Sequence, residues 1–66
     1  MRRVELLKSL AQIAAARGYS MSVTEGKRHS MLRFDGVAVT TIPRHRKIAR
    51  ETANGILEVA TTWKKQ

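Results

Sequence analysis

Sixty-six residues, 42% of them apolar, allow one small domain and exclude a multi-domain enzyme, a barrel or a dinucleotide fold. Thirteen Lys and Arg against five Asp and Glu leave a net charge of +8, which predicts attraction to polyanions, nucleic acid first and an acidic protein or anionic membrane after it. The cysteine count of zero excludes disulfides, thiolate nucleophiles and zinc–thiolate sites, and no apolar run approaches the ~18 residues of a membrane span.

The start, Met1-Arg2-Arg3-Val4-Glu5-Leu6-Leu7, has no small-residue cleavage signal behind an apolar stretch, so no secretory peptide is expected. A cysteine-free chain fits a reducing compartment, and the cytoplasm is the expected location. The spacing predicts a first helix over Val4–Arg17. Val4, Leu7, Ala11 and Ala14 recur at helical period, and Leu6, Leu10 and Ile13 widen the stripe. Gly18 after Arg17 is the expected stop.

From Tyr19 the period becomes two. Tyr19, Met21 and Val23 alternate with Ser20, Ser22 and Thr24, which reads as a half-buried strand. Glu25-Gly26-Lys27 reads as a turn in which Gly26 is free to take positive φ. A second strand, His29–Phe34, sets Leu32 and Phe34 on one face and His29, Met31 and Arg33 on the other. Asp35-Gly36 predicts a type I′ hairpin into a third strand, Val37–Ile42, which Pro43 ends.

Arg44-His45-Arg46-Lys47 is then a basic loop or helix start. A second helix is expected over Ile48–Thr62. Its stripe is Ile48, Thr52, Ile56, Val59 or Ala60, and Trp63. Gly55 inside that helix suggests a close approach by another element, and Lys64 and Lys65 suit the helix dipole.

The fold class is therefore α+β. A single domain over residues 1–66 has the order α-β-β-β-α, with a three-stranded antiparallel sheet and two helices on one face. The other face is open. Phe34 belongs to the core and Tyr19 to its edge, while Trp63 either caps the core or meets another chain.

The candidate chemistry centres on His29, which follows Gly26-Lys27-Arg28. An imidazole among cations can take a proton from an RNA 2′-OH, and that step needs neither metal nor protein nucleophile. The plainer reading is a surface histidine in a basic hairpin. Lys27, Arg28, Arg33, Arg44, His45 and Arg46 are candidate RNA-binding residues, the cations as phosphate ligands. His45 is a second proton-transfer candidate or a structural hydrogen-bonding group. There is no glycine-rich phosphate loop, zinc spacing, Ser-His-Asp set or carboxylate pair, so no cofactor or metal is expected.

Two blocks, Gly26-Lys27-Arg28-His29 through Asp35-Gly36 and Ile42-Pro43-Arg44-His45, resemble the HicA family of toxin ribonucleases. The shared pattern is a histidine three residues after a glycine, a hairpin, then Pro-Arg-His before the last helix. The resemblance spans nearly the whole chain. It implies a double-stranded-RNA-binding-domain-like fold, cleavage of mRNA with arrest of translation, and an essential catalytic role for His29. It also implies a cognate HicB antitoxin that covers the site. The alternatives are a non-catalytic RNA-binding module and a degenerate toxin acting through protein contact.

Overall fold

The computed structural model describes residues 1–65. The elements are α1 (Arg3–Ala16), β1 (Met21–Glu25), β2 (His29–Phe34), β3 (Val37–Pro43) and α2 (Arg50–Thr62). The order is the one the sequence predicts. The strands form one antiparallel sheet with β2 in the centre.

Local chemistry explains most boundaries. The Arg2 amide donates to the Glu5 carboxylate at 3.3 Å and starts α1. At its other end, Gly18 takes φ 76°. The Gly18 amide then donates to the Ala15 carbonyl at 3.2 Å and the Tyr19 amide to the Ala14 carbonyl at 2.9 Å, a Schellman closure. Asp35 and Gly36 both have positive φ, 53° and 81°, as a type I′ turn demands. In β3 the register slips so that Leu32 faces Thr40 but Arg33 faces Ala38. Val39 is the extra residue of this bulge and packs against the core.

Among the described residues the buried hydrophobic side chains form one cluster. Leu6, Leu10 and Ala14 come from α1, Leu32 and Phe34 from β2, Ile42 from β3, and Ala53, Ile56 and Ala60 from α2. Both helices thus cover the same sheet face. Tyr19, Phe34 and Trp63 close one end, with ring centroids 5.2–5.6 Å apart. Trp63 is therefore a cap on the core. Arg17 stacks over Tyr19 at 5.2 Å and donates to the Ala60 carbonyl at 2.8 Å, tying α1 to α2.

Several expectations need correction. The buried line of α1 is Leu6-Leu10-Ala14, while Val4 and Ala11 are exposed. The apolar arc of this helix is so wide that period alone does not centre it. In α2 the buried line passes through Ala53, and Thr52 is exposed. This helix starts at Arg50, not Ile48. The segment before it instead pairs with the N-terminus, with Lys47 bridged to Arg2. The Arg3 amide donates to the Arg46 carbonyl at 2.8 Å, and Met1 and Ile48 exchange bonds of 2.7 and 3.0 Å. That pairing draws Ile48 into the core ahead of the helix.

Gly26 does not have positive φ. Its role is clearance, because a Cβ there would sit 2.7 Å from the His29 carbonyl oxygen. Among the described residues nothing approaches Gly55 within 4 Å of where a Cβ would be, so no close packing there requires it. Lys64 and Lys65 lie past the end of α2, and Lys65 pairs with Asp35 at 3.4 Å.

Candidate nucleic-acid interface

Alternation along β2 builds the open face. Ser30, Leu32 and Phe34 point into the core, so His29, Met31 and Arg33 point away from the helices. Register places Ser22 opposite Arg33 and Thr24 opposite Met31 on β1, with Thr41 opposite Met31 and Pro43 opposite His29 on β3. The outcome is a mostly polar surface with no helix over it.

His29 is exposed at the start of β2. Its carbonyl accepts the Gly26 amide at 3.0 Å, which closes a tight loop carrying the exposed cations Lys27 and Arg28. Arg44 holds the same loop from the β3 side. One of its terminal nitrogens donates to the Gly26 carbonyl at 3.0 Å and reaches the Lys27 carbonyl at 3.5 Å. Its Nε lies 3.3 Å from Glu25 Oε2. Arg44 is thus a clamp on the histidine loop, with half of its side chain still in solvent.

Beneath the clamp lies a polar knot around a buried hydroxyl. Ser30 Oγ donates to Glu25 Oε2 at 2.8 Å and accepts from Arg3 Nη2 at 2.8 Å. Arg3 also donates from Nε to the Pro43 carbonyl at 3.1 Å and approaches Glu25 Oε1 at 3.5 Å. The Ser30 hydrogen bond, helped by the charges of Arg3 and Arg44, holds the Glu25 carboxyl below its ordinary value despite the opposing effect of desolvation. One carboxylate therefore joins α1, β1, β2 and the loop after β3.

Of the residues marked by sequence, Lys27, Arg28, His29 and Arg44 come together at this end of the sheet. Arg33 does not join them. It sits four residues along β2 from His29, roughly 13 Å at strand rise, and its guanidinium reaches Thr24 Oγ1 and the Gly36 carbonyl. His45 and Arg46 are exposed on the segment after Pro43. Arg46 lines a cleft against the first turn of α1, together with Arg2, Arg3, Val4, Leu7 and Arg44.

Sequence reasoning missed Arg3, Glu25 and Ser30. The signal for Ser30 was available, since β2 alternation puts it on the Leu32–Phe34 face, where a hydroxyl needs partners. No comparable local pattern marks Arg3 or Glu25, because they meet Ser30 only through tertiary packing.

Among the described residues no three His, Asp or Glu side chains stand close enough to share a metal ion, and no helix is long and apolar enough to cross a membrane. No family model, no curated protein and no solved structure matches the chain.

Proposed function

We propose that the chain is a small endoribonuclease of the HicA toxin kind, cutting single-stranded mRNA with His29 as the group that moves the proton. The observation that carries this reading is an exposed histidine on an uncovered sheet face, in a loop bearing Lys27 and Arg28 and clamped by Arg44. In the reaction His29 takes the proton of the ribose 2′-OH. The 2′-oxygen attacks the adjacent phosphorus, the bond to the 5′-oxygen breaks, and that oxygen takes up a proton from water. The products are a 2′,3′-cyclic phosphate and a 5′-hydroxyl. Lys27 and Arg28 attract the phosphate and offset the charge that develops on it. A HicB-like antitoxin would neutralise the toxin by covering this face, and both would work in the cytoplasm.

The test is incubation of purified protein with a defined single-stranded RNA in EDTA, beside the His29→Ala variant. Cleavage by the parent with cyclic or 3′-phosphate ends is expected. The variant should lose about 10²–10⁴-fold in rate while keeping its fold, since the side chain is exposed. A variant that cuts at the parent's rate removes His29 from the mechanism.

A second reading is RNA binding without cleavage. One observation favours it: among the described residues the His29 imidazole has no hydrogen-bonding partner to orient it, whereas catalytic bases are commonly held by a third group. RNA carrying deoxyribose at the cut position separates the two. A nuclease using the 2′-OH fails on it, while a phosphate binder holds it nearly as well.

A further inference from the structure

The cleft between the first turn of α1 and the segment after Pro43 has a volume of about 850 Å³ and is lined by Arg2, Arg3, Val4, Leu7, Arg44 and Arg46. Its four arginines are not equivalent. Arg3 and Arg44 are committed to Glu25, to Ser30 and to backbone carbonyls. Among the described residues, the side chains of Arg2 and Arg46 make no hydrogen bond and have no carboxylate partner. Their backbones are fixed all the same, by the Arg2–Lys47 bridge and by the bond from the Arg3 amide to the Arg46 carbonyl. Two free guanidinium groups therefore flank a floor that includes Val4, which is 46% exposed.

We propose that this cleft is a nucleotide subsite, in which Arg2 and Arg46 hold a phosphate and a base rests on Val4 and Leu7. A planar base suits an apolar floor edged by guanidinium planes, and phosphate suits their forked donors. An acidic peptide would satisfy the arginines but leave the floor without a flat partner. The cleft lies on the helix side of the sheet and meets the open face at the end that bears His29. Pro43 pairs with His29 across the sheet, and the next residue, Arg44, both lines the cleft and grips the histidine loop. One strand of RNA that lies over His29 can then turn past Arg44 at the end of the sheet and set a nearby nucleotide in the cleft. This inference rests on the RNA reading above, and its test separates the two.

The experiment measures binding of a labelled single-stranded oligoribonucleotide by fluorescence anisotropy across a salt series. His29→Ala protein is used so that the probe stays intact. The double variant Arg2→Ser/Arg46→Ser is compared with Lys8→Ser/Lys64→Ser, which removes the same charge from exposed positions outside the cleft. Circular dichroism checks that every variant is folded. The cleft variant should bind at least about tenfold more weakly and lose about 1–2 from the slope of log affinity against log salt. The charge-matched control should lose less than about threefold. Val4→Asp should weaken binding without disturbing the helix, because the position is exposed in its first turn. Equal losses in the two double variants would overturn the subsite and leave RNA binding standing as a diffuse effect of charge. No binding by His29→Ala protein at low salt would overturn the subsite and the RNA reading together.

Discussion

Ser30 shows how one small side chain organises the surroundings of His29. It is fully buried and both its hydrogen-bonding roles are filled, by Glu25 as acceptor and Arg3 as donor. Ser30→Ala leaves the Arg3 guanidinium and the Glu25 carboxylate each short of a partner. Chemical denaturation should show a loss of about 1–2 kcal/mol, a large share of the roughly 3–10 kcal/mol expected of a domain this size. Arg44 permits a sharper test. A phosphate ligand needs its charge, whereas a clamp needs a fork that reaches Glu25 and two carbonyls at once. Arg44→Lys should therefore lose most of the activity that Arg44→Ala loses. An activity close to the parent's would show that charge alone matters there. The sequence exposed only part of this arrangement: strand alternation set His29 and Arg33 on the open face, but nothing in it foretold that Arg44 would grip the carbonyls of a loop 17 and 18 residues away.

The elements were the most legible part of the chain, and the reasons differ between them. Asp35-Gly36 specified its hairpin because both residues tolerate positive φ and few other pairs do. The second strand was readable because its alternation matches a sheet with one covered face. The start of α2 was not readable, because Ile48 has the right spacing for the helix yet is held by backbone pairing with Met1. Ala49 then occupies the N-cap position and supplies no side-chain acceptor. Ala49→Ser should stabilise the domain by about 1 kcal/mol. Gly55→Ala should add up to about 1 kcal/mol, since the position is exposed and helical, and no other described element comes within 4 Å of where its Cβ would be. Thermal melts of both variants check the pair, and a fall in melting temperature for Gly55→Ala would show that the free domain itself needs the glycine and overturn the propensity argument.

The molecule as a whole is short of negative charge, with five carboxylates against thirteen cationic side chains. Two of the five carry disproportionate structural duty. Glu25 joins four segments through Ser30, Arg3 and Arg44. Asp35 accepts the Ser20 amide at 2.7 Å and meets Lys65 at 3.4 Å, so it fastens the hairpin to the start of β1 and to the tail. The Ser20 amide first, and Lys65 after it, hold the Asp35 carboxyl below its ordinary 3.8, just as Ser30 leads in holding Glu25 below 4.5. A carboxyl whose pKa is depressed by folding adds stability that is present above its unfolded value and is lost as pH falls through the folded one. Stability should therefore decline as pH drops below about 4.5, and growing positive self-repulsion deepens the decline. The double variant Glu25→Gln/Asp35→Asn should be less stable than the parent at neutral pH but show a flatter loss on acidification. Denaturation midpoints measured from neutral pH down to pH ~3 test this. Parallel curves for the two proteins would assign the acid sensitivity to overall charge repulsion and remove these two carboxylates as its source.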